Sequence, residues 1–177
     1  MSIQVVVQYP KLPERVAIHF DGSGKGDSFA SKQTLVAMNV GITLGLFLLF
    51  TLTTLLIVGT LSSSNKDCQR CVNMPNKDYW LATPENRFRA MEVLGSMNLF
   101  LGAASTLFML ALSSLVYQAN ISNSVAPTLS WAFWLLLGAY LAGNIAIIVW
   151  AVVIMKPEDS MQQRYRVLAQ QSQSLTY

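Results

Sequence analysis

Charged residues are absent from two long stretches of this chain, and both stretches are dense in apolar side chains. They are residues 33–65 and residues 93–155. A helix needs about 20 apolar residues to cross the hydrocarbon core of a bilayer, so the first stretch holds one span and the second holds two. Segment 118–128 is polar and uncharged, so it should form a turn in water that divides the second stretch. The pattern predicts three transmembrane helices, at residues 34–62, 91–117 and 129–155.

The segments outside these helices are an N-terminal arm, a loop and a tail, at residues 1–33, 63–90 and 156–177. Runs of β-branched and aromatic residues at 3–9 and 15–20 predict two short strands in the arm. The Gly-rich residues 21–27 predict a flexible turn after them. We therefore expect an all-α membrane protein that has three transmembrane helices and a short β or extended N-terminal arm.

The second helix should begin before the membrane. Thr83 can cap a helix, Pro84 suits a first turn, and Glu85 interacts favourably with the positive end of the helix dipole. The helix is therefore predicted to run from Pro84 to Tyr117, which is longer than the hydrocarbon core, so its first turns should stand in water. In the tail, three apolar residues at helical spacing predict a short amphipathic helix: Met161, Tyr165 and Leu168.

Composition supports the membrane interpretation. Hydrophobic residues make up 53% of the 177 residues and charged residues 12%, whereas soluble domains carry about 25% charged residues. Together with a mean hydropathy of +0.41, these values exclude a disordered chain and argue against a water-soluble globule. The partners we expect are the lipid bilayer and either other membrane subunits or further copies of this chain, with no nucleic acid.

Basic residues are divided unequally between the two sides that three spans would create. Four lie on the side of the arm, and eight lie on the side of the loop and the tail. Cytoplasmic segments carry the excess of Lys and Arg, so we expect the loop and tail inside and the arm outside. The first apolar stretch starts too late and runs too long for a cleaved signal peptide, so we expect a retained anchor. These features predict a multi-pass protein of the bacterial cytoplasmic (inner) membrane.

The cysteine pair Cys68 and Cys71 is the one candidate for metal or redox chemistry. A single Cys-x-x-Cys supplies half of a four-cysteine zinc site, so a complete site would need ligands from another chain. In a cytoplasmic loop the thiols would stay reduced, and in an oxidising compartment they could form a disulfide. Two ordinary loop cysteines are the alternative. No catalytic dyad is visible, so we expect no enzymatic activity and no cofactor of the chain's own.

Ionisable groups are scarce in the predicted spans, where Glu92 lies at the very start of the second. Proton-coupled carriers usually place such groups at membrane depth, so the pattern argues against a transporter that works alone. Asn144 lies near the middle of the third span and should bond to a neighbouring helix. Small residues spaced by four, which allow close helix packing, occur in the first and third spans: Gly41 and Gly45, then Ala139 and Gly143.

Two groups of residues resemble a known family. The first group lies in the arm and comprises Tyr9, Pro10, Leu12, Pro13, His19, Phe20 and Asp21. The second lies in the loop and comprises Asn76, Lys77, Tyr79, Trp80 and Leu81. Together they resemble a bacterial membrane-domain family of unknown function that is found in SdpI-type immunity proteins. The resemblance implies an extracytoplasmic arm and a link to immunity or signalling, without a general activity.

Members of that family usually carry a membrane helix before the Tyr-Pro stretch, whereas eight residues precede Tyr9 here. We therefore expect another protein to cover a helix face in this chain. The leading interpretation is a non-catalytic accessory or structural subunit of a larger bacterial membrane assembly. The alternatives are a small immunity or envelope-stress protein, and a metal, redox or transport component that uses Cys68 and Cys71.

Overall fold

The computed structural model describes residues 7–122 and 125–157, and this part of the chain is mostly helical. A 3₁₀ helix at Tyr9–Lys11 precedes a two-stranded antiparallel sheet, and five α-helices follow. The elements are β1 (Arg15–Phe20), β2 (Gly26–Ser31), α1 (Lys32–Ser62), α2 (Lys66–Arg70), α3 (Lys77–Ala82), α4 (Pro84–Ser122) and α5 (Ala132–Ile154).

Three of these helices, α1, α4 and α5, are long and apolar enough to cross a membrane. They contain 31, 39 and 23 residues, and their most apolar windows have mean hydropathies of 2.3, 2.0 and 2.2. The three apolar helices and the small N-terminal sheet agree with the predicted fold class. The amphipathic helix predicted around Met161, Tyr165 and Leu168 lies outside the described residues.

The arm differs from its predicted layout. Residues 7 and 8 are helical and continue into the 3₁₀ helix, so the strand predicted at 3–9 is wrong where the structure describes it. Pro10 has no N–H to donate to a sheet, and its fixed φ suits the start of a helical turn. The strand at Arg15–Phe20 is confirmed, but its partner is Gly26–Ser31, which follows it in the chain.

Helix α4 also extends beyond its predicted end. Thr83 caps its start as predicted, because its Oγ1 accepts a hydrogen bond from the Asn86 N–H at 3.2 Å. At the other end the helix continues past Tyr117 to Ser122. Asn120, which the polarity of its neighbours placed in an aqueous turn, is instead fully buried.

The described residues form two compact units, each with its own apolar cluster. One unit comprises the described residues within 7–50 and 101–145, and the other comprises residues 51–100 and 146–157. In the first unit the arm packs on the helices through the buried residues Leu12, Val16, Leu35 and Tyr117. In the second unit the loop packs on helix ends through Leu61, Met74, Trp80, Ala90, Val93, Leu94, Ala151 and Met155.

Among the described residues, the predicted small-residue positions make no close contact with another helix, so their packing against a partner stays a prediction. A Cβ added to Gly41, Gly45 or Gly143 would meet nothing within 4 Å, and Ala139 is exposed. The Asn144 Nδ2 donates to the Tyr140 carbonyl of its own helix at 2.7 Å, and the expected bond to a neighbouring helix stays a prediction.

Other residues make the contacts between helices. Gly102 of α4 lies against Phe50 of α1, where an added Cβ would come within 2.8 Å of the phenylalanine Cβ. The Asn98 amide of α4 donates to the hydroxyls of Thr53 and Thr54 of α1, at 2.9 and 2.7 Å. The Ser105 hydroxyl of α4 lies 3.0 Å from the Tyr140 hydroxyl of α5. These contacts combine close backbone approach with interhelical hydrogen bonds.

Gly102→Ala should destabilise the protein, because the new methyl group must displace Phe50 near its backbone attachment. We expect a cost of about 1–3 kcal/mol, as is usual for overpacking. Gly143→Ala is the matched control: its methyl group has open space, so the melting temperature in the same detergent should stay unchanged or rise slightly. Equal melting of the two variants would contradict the packing of α1 on α4 at Gly102.

Candidate functional site

The side-chain amide of Asn120 makes the central contact of the arm. Its Oδ1 accepts a hydrogen bond from the Ala17 N–H at 2.6 Å, and its Nδ2 donates to the Ala17 carbonyl at 3.1 Å. The same nitrogen donates to the Val116 carbonyl at 3.0 Å, one turn earlier in α4. Asn120 and Ala17 are both fully buried, so water does not compete for these bonds.

This contact provides hydrogen-bond partners for backbone groups at the edge of strand β1. Among the described residues β1 has a single neighbour, β2. A strand edge without a neighbour exposes backbone N–H and C=O groups that need partners. The Asn120 side chain carries a donor and an acceptor like those of a peptide group, and it bonds to both polar groups of Ala17. It therefore attaches the hairpin to α4 and completes part of the β1 edge.

The turn between β1 and β2 is ordered by the Asp21 carboxylate. This group accepts hydrogen bonds from the Ser23 hydroxyl at 2.6 Å and from the backbone N–H groups of Ser23 and Lys25 at 2.9 Å. The Ser23 hydroxyl, followed by the Lys25 N–H, lowers the pKa of the Asp21 carboxyl below its usual value. Gly24 has a φ of 80°, which glycine adopts without strain.

The segment between α4 and α5 holds this turn from its other side. The Gly26 N–H donates to the Pro127 carbonyl at 2.9 Å, and the Leu129 N–H donates to the Gly24 carbonyl at 2.8 Å. A Cβ at Gly26 would lie 2.8 Å from the Ala17 Cβ, so this close approach requires glycine. The turn that the sequence predicts as flexible is thus tied to the helices at two points.

His19 lies on the exposed side of the hairpin. Strand alternation places Ala17 and His19 on one face, but the strand register shifts between them, so Ala17 is buried while His19 is exposed. The His19 Nδ1 is 2.6 Å from the Asp27 Oδ1, and both side chains are largely accessible to solvent. The hairpin therefore presents the polar side chains of His19 and Asp27 to solvent.

The loop residues of the second motif are anchored to the end of α5. The Trp80 Nε1 donates to the Met155 carbonyl at 3.1 Å, and the Asn76 Nδ2 donates to the same oxygen at 3.4 Å. The last carbonyls of a helix have no partners within it, so these bonds satisfy a group that needs them. Asn76 has a φ of 53°, a left-handed conformation that asparagine tolerates better than most residues.

The remaining motif residues are spread over several elements. Tyr9 and Pro10 lie in the 3₁₀ helix, and Leu12 is buried in the apolar cluster of the arm. Tyr79 packs edge-on against Trp80, with ring centroids 5.1 Å apart. The others lie on strand β1, in the connections and on α3: Pro13, Phe20, Asp21, Lys77 and Leu81. The two motif groups thus occupy separate sites, one in each compact unit.

Cys68 and Cys71 are both free thiols. Cys68 is half-buried in α2, and Cys71 is exposed directly after it, with its Sγ donating to the Asp67 carbonyl at 3.4 Å. Within residues 7–122 and 125–157, no three His, Cys, Asp or Glu side chains are grouped so that they could hold a metal ion. A zinc site would still need ligands from another chain, and such a shared site stays a prediction.

A polar cavity of about 610 Å³ lies where the loop meets the helices of the second unit. Its lining includes the serine run 62–64 at the end of α1 and Leu81 of α3. Three basic residues and one acidic residue carry the charge of its lining: Lys66, Arg70, Arg87 and Asp78. Sequence reasoning did not bring these residues together, because they come from four different helices or their ends.

Asn120 is the residue of this site that the sequence did not reveal. Its neighbours are polar, and its partner Ala17 lies 103 positions earlier, so no local pattern connects them. One signal was available: Tyr117 and Asn120 are three residues apart and share a helix face if α4 continues.

A family model matches the arm and the beginning of α1. Residues 2–44 match a domain of unknown function, DUF1648. This range includes the first motif group and excludes the second, at Asn76–Leu81. Searches of curated proteins and of solved structures found no match. The similarity therefore concerns the arm, and it assigns no activity.

Asn120→Leu should release the hairpin from α4, because both polar groups of Ala17 lose their partner. Leaving a buried peptide group unpaired costs about 1–3 kcal/mol. Hydrogen exchange at the Ala17 amide should accelerate by about tenfold or more, since 1.4 kcal/mol corresponds to a factor of ten. Gln118→Leu is the control, because Gln118 is exposed at the same helix end. Equal exchange in both variants would refute the role of Asn120.

Proposed function

We propose that this chain is a non-catalytic multi-pass membrane protein that serves as an accessory or structural subunit of a larger bacterial membrane assembly. The observation that carries the proposal is the attachment of the hairpin to α4 through Asn120 and Ala17. A module that is held in one position loses little conformational entropy when a partner binds, so it suits a docking role. The exposed side with His19 and Asp27 is the surface we assign to that contact.

The use of polar side chains supports a structural role. Asn98 links two helices, Asn120 links the arm to a helix, and Trp80 bonds to the end of another. The hydrogen bonds of these groups connect elements of this chain to one another. Amides and indoles also lack the acid–base and nucleophilic chemistry that catalysis most often requires.

For the location we propose the bacterial inner membrane, with the arm outside and the loop and C-terminus in the cytoplasm. The charge-free stretches and the eight-to-four division of basic residues support this orientation. The contacts of the arm with the segment after α4 are consistent with it, because both segments would then lie on the outer side.

A second candidate function is that of a small immunity or envelope-stress protein. It rests on the resemblance to SdpI-type proteins and on the domain match at residues 2–44. Both candidates act through protein contacts, so the identity of the partner distinguishes them. A stoichiometric membrane subunit favours the accessory role, whereas a toxin or a regulator favours the immunity role.

A photo-reactive amino acid at position 19 should form a crosslink to one partner of defined mass in native membranes. The side chain at this position is exposed, so the probe should not disturb the fold. Combining the probe with Asn120→Leu should abolish the adduct, because the hairpin is no longer held in place, whereas combining it with Gln118→Leu should preserve it. The measurement is the mass and yield of the adduct after irradiation.

Two results of this experiment would contradict the proposal. An adduct of twice the chain mass would indicate self-association in place of a foreign subunit. An adduct whose yield is the same with Asn120→Leu would show that the position of the hairpin does not matter for the contact.

Thiol labelling of intact cells tests the orientation. A membrane-impermeant reagent should miss the natural cysteines, although Cys71 is sterically exposed. It should react with Ser23→Cys when Cys68 and Cys71 are replaced by serine, because residue 23 lies on the exposed turn of the arm. Permeabilised cells, in which Cys71 should react, provide the control. The reverse pattern would place the loop outside and overturn the assignment.

A further inference from the structure

The cavity of about 610 Å³ in the second unit carries a net positive charge. Its lining includes Lys66, Arg70 and Arg87, against the single carboxylate of Asp78, which leaves a net charge of plus two. Within the described part of the chain, none of the three basic side chains pairs with a carboxylate. A cavity of this size is within the range of small-molecule sites, and its charge selects an anion.

Arg87 has an unused donor in this cavity. Its Nε is buried and has no hydrogen-bond partner among the described residues. A buried donor without a hydrogen-bond partner is energetically unfavourable, so an acceptor from a ligand would stabilise this group. Guanidinium groups bind phosphate oxygens in a planar, two-bond geometry, and the serine residues 62–64 add hydroxyl groups to the same lining. The chemistry of the lining therefore fits a phosphate group.

The position along the helices places this cavity at the level of lipid headgroups. Its lining includes Ser62, which ends the apolar stretch of α1. That stretch is long enough to cross the hydrocarbon core. Arg87 lies in the first turns of α4, just before its apolar part. Basic residues at such positions attract the anionic headgroups of the cytoplasmic leaflet.

An adjoining apolar cavity favours a lipid over a free anion as the ligand. It has a volume of about 180 Å³, and it shares Ser62 and Arg87 with the polar cavity. The rest of its lining is apolar and comprises Leu61, Pro84, Phe88 and Met91. A polar, cationic cavity joined to an apolar one fits a molecule whose phosphate is attached to a hydrocarbon part.

From this juxtaposition we infer that the two cavities bind the headgroup phosphate of an anionic phospholipid, with its glycerol and upper acyl region against Leu61 and Phe88. The inference goes beyond the proposed subunit role, and it rests on α1 and α4 crossing the bilayer with the loop on the cytoplasmic side, as proposed above. Arg87 is the central ligand, and Lys66 and Arg70 supply further positive charge at the cavity mouth.

Native mass spectrometry of the full chain in detergent tests the assignment, with phosphatidylglycerol and phosphatidylcholine of identical acyl chains as probes. Phosphatidylglycerol should bind more tightly. Arg87→Gln should weaken its binding by about tenfold or more, as expected for the loss of a charge-assisted hydrogen bond. Lys66→Gln should weaken it about fivefold, as expected for one basic residue near the membrane surface.

Arg89→Gln is the matched control, because Arg89 is exposed two positions further along α4 and does not line either cavity. It should change the binding of phosphatidylglycerol less than twofold. Thermal unfolding of each variant identifies any loss of fold, and Lys66→Gln, on an exposed side chain, keeps the test valid if Arg87→Gln does not fold.

Three results would overturn the inference. Equal binding of the two lipids would remove the requirement for an anion. Equal weakening by Arg87→Gln and Arg89→Gln would show that bulk charge, and not this cavity, attracts the lipid. Binding of inorganic phosphate without binding of phosphatidylglycerol would assign the site to a free anion.

Discussion

The arm depends on one buried side-chain amide. Asn120 bonds to both backbone polar groups of Ala17, so a helix supplies what a neighbouring strand would otherwise provide. A two-stranded hairpin alone is barely stable in water, and here burial of Val16 and Leu12 against Tyr117 adds apolar contact to the polar attachment. The hairpin, the turn at Asp21 and the segment before α5 are consequently ordered as one group, and a docking role becomes physically reasonable.

The same requirement, that no buried backbone group stays unpaired, explains the loop. The end of α5 offers the Met155 carbonyl, and the loop supplies Trp80 and Asn76 to bond with it. The indole also fills the apolar cluster of this unit, so one residue contributes both packing and a hydrogen bond. The cationic cavity beside the loop is lined by Lys66 and Arg70 of α2 and by Asp78 of α3.

Polar groups within the long helices follow a related rule. Hydrocarbon offers no hydrogen bonds, so each group must find a partner in the protein. Hydroxyls such as that of Ser113 bond to the carbonyl four residues earlier, whereas Asn98 reaches two threonines of another helix. The Asn144 amide nitrogen bonds within its own helix, and a bond of this residue to another helix stays a prediction. Position in the span alone does not decide between them, because the outcome depends on which helix lies opposite.

The sequence by itself determined the three apolar helices, the cap at Thr83 and the strand at Arg15–Phe20, because charge-free length, capping chemistry and β-branched runs act locally. It could not determine the pairing partner of that strand. The helical turn at Tyr9 removes the preceding segment as a partner, and the turn at Asp21 brings the following segment, Gly26–Ser31, beside the strand. Tertiary structure alone decided the partner of Asn120, the contact of Gly102 with Phe50 and the grouping of Arg87 with Lys66. Each joins residues that lie far apart in the chain, and local patterns carry no information about such distances.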